Sequence, residues 1–366
     1  MSRTTADSGP LRGRRNFCRA VAAAAFWGSV APAALAQNAR KRVAIGGRSV
    51  PVVDVHAHCV FPEVADLLAG TPLAGRTFPS VWTLGPDRLR VMDERGIEVQ
   101  ALSVNTYWWY AAERELAERI VGVHDQRLAD WCEAHADRFV ALSSVALQFP
   151  ELAAQQLEFA VRELGHRGAS IGGHVANEPP TAEQFDVFWA KAQELDVPVF
   201  MHPNNALNVV RDNGFAGRGD LGNIIGNPLE TTLFLAHMIF DGTLDRFSRL
   251  KLVAAHGGGY LPSYLGRTEV ACSVRENANC ANRKPPSAYF KDQIFVDSMV
   301  FSAEGLRHLV AETAASQVVY GSDIPFFWPD TIDLIAEANF LTDAEKAAIL
   351  GGNLIDILRI DSLAVA

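Results

Sequence analysis

Cysteine is scarce in this chain: five occur in 366 residues, and no two stand as Cys-x-x-Cys. That argues against a thiolate zinc site, which needs closely spaced cysteines. Positive charge is also in deficit, with 33 Lys and Arg against 42 Asp and Glu, a formal net charge of −9. The balance speaks against a nucleic-acid-binding surface and gives no electrostatic attraction to anionic membranes. No apolar run reaches the ~20 residues that a membrane span requires. Low-complexity tracts and internal repeats are absent. A glycine-rich phosphate turn is missing as well: the first predicted strand is followed by Cys59-Val60-Phe61-Pro62, which disfavours an open, doubly wound nucleotide-binding sheet.

What is present begins with a leader. Arg12, Arg14, Arg15 and Arg19 precede a small-residue apolar stretch from Ala20 to Val30, and Ala34-Leu35-Ala36 precedes Gln37. This is the order of a charged region, a short hydrophobic region and an A-x-A cleavage site. Arg14-Arg15-Asn16-Phe17 resembles a twin-arginine export signal. We therefore expect residues 1–36 to be a signal peptide, 37–49 a linker and 50–360 a single catalytic domain of an exported, periplasmic bacterial protein. Loss of residues 1–36 removes five Arg and one Asp and leaves a net charge of −13. Export in the folded state suits a metalloprotein that is loaded before transit. Cys18 leaves with the leader, while Cys59 and Cys132 read as small core residues. Cys272 and Cys280 flank the polar loop Ser273 to Asn279. In an oxidising compartment a disulfide between them is open, unless helix geometry at Cys272 aims the sulfurs apart.

Short β-branched runs alternate with longer amphipathic ones from residue 50 to residue 360. Strands are expected at Val52–Cys59, Val99–Asn105, Phe139–Leu147, Ala169–Val175, Val197–His202, Lys251–His256, Ile294–Met299 and Val318–Ser322. Helical spacing falls at Pro86–Arg95, Ala111–Ala136, Pro150–Leu164, Thr181–Leu195, Leu229–Phe247, Ser302–Ala314 and Thr342–Leu358. Thr181 with Gln184 has the pattern of a capping box. Eight strands with intervening helices predict an α/β fold of the (β/α)8, or TIM-barrel, architecture. Phe61–Gly85, Asn204–Pro228 and Arg275–Ser287 are long irregular stretches.

Two histidines one residue apart, His56 and His58, end the apolar run that starts at Val50. In an extended strand, residues i and i+2 face the same way with Cα atoms about 6.6 Å apart, so both imidazoles can reach one ion. His202 ends the fifth expected strand, His256 the sixth and Asp323 the eighth. Each has a bland reading, as a satisfied core histidine or a helix cap. Five such residues at the C-terminal ends of parallel strands instead mark one rim, where barrel active sites are built. Asp54 shares the alternation of His56 and His58 and is expected on their face, in an orienting or a structural role. His174, at the end of the fourth expected strand, is a candidate for substrate contact or for structure.

These stretches identify a resemblance. Asp54-Val55-His56-Ala57-His58, Arg90 through Ile97, Pro228-Leu229-Glu230-Thr231-Thr232, His256-Gly257-Gly258-Gly259 through Gly266-Arg267, and Gly321-Ser322-Asp323-Ile324-Pro325-Phe326 resemble the amidohydrolase superfamily. Within it they resemble the branch of 2-amino-3-carboxymuconate-6-semialdehyde decarboxylase, over about residues 50–358. The resemblance implies that His56, His58, His202 and Asp323 ligate one divalent ion, usually zinc with manganese as the alternative, and that His256 acts on its bound water. Such an ion lowers the pKa of water from about 15.7 toward 7, and histidine titrates in the range needed to take and return a proton. The fourth expected strand offers no Lys or Glu where two-metal relatives carry a bridging ligand, which implies one metal. By the same resemblance Arg267 and Arg76 bind a carboxylate, Arg267 reaching into a neighbouring subunit of a homodimer. One departure concerns the substrate: Asn204-Asn205 follow His202-Pro203 where relatives commonly have tryptophan. Tyr107-Trp108-Trp109-Tyr110 and Phe326-Phe327-Trp328 are candidates for the missing flat walls.

The leading expectation is a metal-dependent carbon–carbon lyase that decarboxylates an aromatic or muconate-type acid, a small-molecule carboxylate. Hydrolysis of an ester, amide, lactone or C–C bond at the same site is the alternative. A non-catalytic exported carrier of metal or acid is a third reading, disfavoured by a histidine at the proton-shuttle position.

Overall fold

A computed structural model describes residues 40–105 and 107–360. The expected signal peptide, Cys18 and the first residues of the expected linker lie outside them. β1 (Val43–Ile45) and β2 (Arg48–Val50) form an antiparallel hairpin. Eight parallel strands follow: β3 (Val53–His58), β4 (Val99–Ser103), β5 (Phe139–Ala141), β6 (Ala169–Ile171), β7 (Pro198–Met201), β8 (Lys251–Ala254), β9 (Ile294–Asp297) and β10 (Val318–Val319). They form two arcs, β3-β4-β5 and β6-β7-β8-β9-β10. Bridges between Ser143 and Ala169 and between Ala57 and Ile324 join the arcs, so the expected TIM barrel closes. The second seam carries site residues: Asp323 N–H donates to the His56 carbonyl at 2.8 Å, and His58 N–H donates to the Ile324 carbonyl at 2.7 Å.

Alternation along the strands makes two apolar layers. Val53, Val55, Val99, Ala101, Leu142, Phe200, Val253, Phe295 and Val319 share one buried cluster, joined by Leu354, Ile357 and Leu358 of the helix Asn353–Leu358. Their strand neighbours, among them Leu102, Ile171, Met201, Leu252 and Val296, belong to a larger core shared with helical residues such as Met92, Leu157, Trp189 and Leu306. Burial on both faces is why these strands read as continuous hydrophobic runs.

The ladders stop earlier than the sequence predicts. β7 ends at Met201 and β8 at Ala254, so His202 and His256 lie beyond the last paired residues, with side chains free to turn into the rim. Asp323 likewise follows β10. Three helical expectations are corrected. The segment expected as Thr181–Leu195 starts with a 3-10 turn, Glu183–Phe185, and becomes α-helical only at Asp186. Thr181 does not cap it, because its hydroxyl donates to Asp241 Oδ2 at 2.6 Å; the capping box observed is Thr342 with Glu345. The segment expected as Leu229–Phe247 breaks into Asn227–Phe240 and Thr243–Arg246 at Gly242, whose φ is 72°. The last helical segment is divided by a π-turn at Ala348–Gly352.

Cys272 and Cys280 are disulfide-bonded, with Cα atoms 5.9 Å apart. The helix Leu265–Val274 does not separate the sulfurs, since a 3-10 turn at Glu276–Ala278 and Asn279 at φ 50° bring the chain back. Cys59 is free and buried, and Cys132 is free and partly buried.

Candidate metal centre and active site

The end of β3 departs from simple alternation. Its register against β4 shifts between Asp54 and Ala57. Val55 joins the apolar cluster of the barrel, and His56 and His58 then converge, with ring centroids 5.2 Å apart. Asp54 is therefore not on their face. It accepts from Gln100 Nε2 at 2.8 Å, Ser322 Oγ at 2.6 Å, and the Ser322 and His56 backbone N–H groups at 3.0 Å each. Its carboxylate fixes the β3–β10 seam from behind.

His202 and Asp323 complete the cluster. One ligand atom each from His56, His58, His202 and Asp323 lies within 4.8 Å of the others, and all four residues are buried. Asp323 Oδ1 is 3.1 Å from His56 Nε2 and 2.7 Å from His58 Nε2. His56 Nε2, both ring nitrogens of His58, His202 Nδ1 and Asp323 Oδ1 lack a hydrogen-bond partner. Buried polar atoms left this way are costly; three imidazoles and a carboxylate around one point fit a single divalent ion.

Charge tells the same story. Burial disfavours a charged His56, but Asp323 and Asp297 outweigh it and raise its pKa to about 10. Burial lowers His58 and takes His202 well below its ordinary value. Asp323 is held well below the usual carboxylate range despite its burial, by the charge of His56 and by the close approach of both His56 and His58. The carboxylates call for positive charge at the centre, and two of the three ligand imidazoles resist supplying it as protons. A metal cation satisfies both.

Asp297, at the end of β9, organises the other side. It accepts from His56 Nδ1 at 2.8 Å, which leaves Nε2 for the ion, and from the backbone N–H groups of His256 at 2.9 Å, Gly257 at 2.8 Å and Met299 at 3.1 Å. Burial would raise its pKa, but the bond and charge of His56 hold it down. His256 has φ 56° and opens a run of three glycines, all at positive φ. A Cβ on Gly259 would meet the Pro228 carbonyl, and one on Gly258 would come within 2.8 Å of Val296, so this turn demands glycine. The His256 ring is 5.2 Å from those of His56 and His202, and its Nδ1 has no partner. Burial and the His56 charge push its pKa down to about 4: a neutral imidazole stands beside the ligand set.

The remaining expected residues fall elsewhere. Trp82 and Phe326 form a wall against His58, at 6.0 and 5.3 Å between ring centroids, and Tyr107 extends it, 5.9 Å from Trp82. Phe327 is 98% exposed and Trp328 stacks on Phe301, so neither belongs to that wall. Arg76 and His174 line an adjoining cleft. Arg267 is exposed on the helix Leu265–Val274, with no hydrogen bond or ion pair among the described residues; it does not meet the ligand cluster of its own chain.

Three residues escaped the sequence reading. Asp297 carried the same signal as Asp323, an acid ending an apolar strand. Glu230, buried, receives the N–H groups of Gly173 at 3.1 Å, Asn204 at 2.8 Å and Ala206 at 2.9 Å. Arg88, also buried, donates to the His58 carbonyl at 2.6 Å and to Gln100 Oε1 at 3.3 Å; its clue was a cation four residues before buried Met92 on one helix face.

Three histidines and one aspartate on the C-terminal rim of a closed parallel barrel define a metal-dependent (β/α)8 protein. The chain belongs to the Amidohydrolase family, whose profile matches residues 53–360. It is 29% identical over 282 residues to the 2-amino-3-carboxymuconate-6-semialdehyde decarboxylase of Dictyostelium discoideum, covering 75% of this chain and 77% of that one. It is also 29% identical over 296 residues to the gamma-resorcylate decarboxylase of Rhodococcus jostii (strain RHA1), covering 75% and 87%. The crystal structure of a dihydroxybenzoic acid decarboxylase from Polaromonas sp. JS666 with bound manganese shares the fold, with a TM-score of 0.74, 23% identity, and coverage of 86% and 99%.

Proposed function

We propose that this protein is a divalent-metal-dependent decarboxylase of an aromatic or muconate-type carboxylic acid. The observation that carries the reading is the place of His256, whose ring lies 5.2 Å from those of His56 and His202 and stands outside the ligand set of His56, His58, His202 and Asp323. His56, His58, His202 and Asp323 would hold the ion, zinc by family resemblance or manganese as in the Polaromonas relative. When bound, the ion supplies Lewis-acid charge for a substrate oxygen and for the developing anion. The chain supplies the rest. Trp82 and Phe326 flank the centre with flat apolar surface that orients a ring and excludes water. As the C–CO2 bond breaks, its electron pair stays on the substrate carbon. The His256 imidazole would take a proton from water and deliver it to that carbon as CO2 departs, leaving hydroxide in the medium and the imidazole neutral again. Asp297 holds the His56 ring and the His256 backbone together, so ligand and proton carrier keep one geometry.

The test is a panel of single-ring hydroxybenzoic acids and matching esters in 18O-labelled water, with metal-loaded protein. CO2 release with no label in the organic product is expected; label in the organic product would mean hydrolysis.

We further propose that residues 1–36 direct export to the periplasm and that the barrel domain occupies residues 50–360. The arginine pair and A-x-A site support this, as does the Cys272–Cys280 disulfide, which suits an oxidising compartment. A homodimer is the proposed assembly, with Arg267 acting in the partner's site. Tyr264, Val270 and Val274, all exposed around Arg267, offer an apolar face for it. Sedimentation showing a fully active monomer would contradict the dimer.

A further inference from the structure

The β7–β8 ladder ends with Met201 opposite Ala254, and one further bond, from the Ala255 N–H to the Met201 carbonyl at 3.2 Å, closes it. His202 and His256 are the next residues on the two strands. Pairing between β7 and β8 therefore stops just before both, and another element must set their rings 5.2 Å apart. The opening turn of the helix Asn227–Phe240 reaches the chain beyond each of them. Its stretch Pro228-Leu229-Glu230-Thr231-Thr232 belongs to the family resemblance, yet it contributes nothing to the ligand set.

On the His202 side the grip is made of backbone donors. Glu230 Oε2 accepts the N–H groups of Asn204 at 2.8 Å and Ala206 at 2.9 Å, and Asn227 Oδ1 accepts that of Asn205 at 2.8 Å. Pro203 has no N–H, so this one turn holds the first three backbone donors past the ligand. Asn205 and Ala206 lie at φ 67° and 52°, a conformation that residues with a Cβ keep where surrounding contacts over-determine it. Glu230 Oε1 takes the Gly173 N–H at 3.1 Å as well. The loops after β6 and β7 thus share one buried carboxylate, satisfied by three donors.

On the His256 side the grip is a hydroxyl. Thr232 Oγ1 donates to the Pro228 carbonyl at 2.7 Å and accepts the Tyr260 N–H at 2.7 Å. A Cβ on Gly259 would come within 2.6 Å of Thr232 Oγ1, so the turn from His256 to Gly259 sits directly on the start of the helix. The Gly259 N–H donates back to the His256 carbonyl at 3.0 Å, which passes the position of Tyr260 on to His256.

We infer that this helical turn sets the spacing between metal ligand and proton carrier, with Glu230 a positioning residue for His202 and Thr232 a positioning residue for His256. The inference deepens the decarboxylase reading and rests on it for the role of His256. Two side chains two residues apart then govern two separable properties: Glu230 the hold on the ion, Thr232 the transfer of the proton.

The test compares Glu230→Gln, Asn227→Ala, Thr232→Val and Thr232→Ser with wild type in the full chain. Zn2+ affinity is read by chelator competition, and ligand geometry by the visible absorption of Co2+-loaded protein. Turnover is read as kcat and KM on whichever acid or ester of the panel above wild type consumes. Glu230→Gln is expected to weaken Zn2+ binding about 10–100-fold and to shift the Co2+ spectrum. Asn227→Ala, a smaller cut in the same grip, should weaken Zn2+ about threefold. Thr232→Val should leave affinity and spectrum at wild-type values and lower kcat about 10–100-fold at unchanged KM. Thr232→Ser, which keeps the hydroxyl, should return kcat to within about threefold of wild type. Equal Zn2+ affinities in Glu230→Gln and Thr232→Val overturn the inference, as does a Thr232→Ser protein as slow as Thr232→Val. Variants that lose thermal stability alone overturn it too. Should Glu230→Gln not fold, Asn227→Ala decides that arm, and wild-type Zn2+ affinity there defeats it. Failure of the decarboxylase reading looks different. Label in the organic product, or no turnover by wild type, defeats that reading alone. Zn2+ binding weakened by Glu230→Gln and untouched by Thr232→Val then still supports the positioning turn, and equal affinities still defeat it.

Discussion

Among the described residues, two buried clusters combine histidine and aspartate, and their difference separates a site from a scaffold. At the rim, His56, His58, His202 and His256 face Asp297 and Asp323. Against the outer wall, His124 and Asp125 of the helix Arg114–Ala134 meet Ser143, Ser144 and His166. There His124 Nδ1 is 2.9 Å from Ser144 Oγ, Asp125 accepts from Ser143 Oγ at 2.6 Å and Ser144 N–H at 3.2 Å, and His166 Nε2 is 3.1 Å from the Asp125 carbonyl. These partners are mostly neutral, so burial dominates. It pushes His124 down to about 3 and His166 to about 4, and raises Asp125 to about 7. At the rim the carboxylates overcome burial at His56, and unpartnered ring nitrogens converge. Burial keeps the outer histidines uncharged and that cluster is largely closed on itself; the rim gathers carboxylates and unpartnered imidazole nitrogens that suit a cation.

The largest break in that contrast should come from Asp323→Asn. Removing the one ligand carboxylate is expected to cost about 10³-fold or more in kcat/KM, with loss of bound metal measured by elemental analysis. His256→Asn should lower kcat about 10²–10⁴-fold while metal content stays at the wild-type level; loss of metal in parallel would make His256 a ligand. Asp297→Asn should weaken metal affinity by about 10–100-fold through the His56 ring it orients, read by chelator competition. The outer cluster should respond only in stability. Between about pH 6.5 and 4 the unfolded chain binds protons at His124 and His166 that the native state refuses, so these residues make stability fall as pH falls. Asp125 does the reverse, binding in the native state a proton that the unfolded chain releases above about pH 4. Asp125→Asn removes that opposing proton. Stability should then fall more steeply on acidification, by about 1.4 kcal/mol per pH unit relative to wild type, read from urea unfolding at a series of pH values. An unchanged slope would refute the assignment.

How much of this was legible in the sequence follows from the range of each interaction. The barrel, its strand order and the rim residues His56, His58, His202, His256 and Asp323 were readable, because each ends an apolar run and parallel strands bring such ends together. Asp297 carried the same signal but also serves its own turn, through the Met299 N–H, and so resembled a local cap. Glu230 and Arg88 act on backbone 24 to 57 residues away, across separations that spacing does not encode. Asp54 was placed on the wrong face because one register shift inverts the alternation. The Cys272–Cys280 bridge depended on a turn whose direction only the backbone geometry reveals.

Metal content of folded protein, measured for wild type and Asp323→Asn side by side, tests the central claim most directly. The account predicts close to one zinc or manganese ion per wild-type chain and almost none in the variant. Folded wild type without stoichiometric divalent metal, or a variant that keeps its full complement, would contradict it.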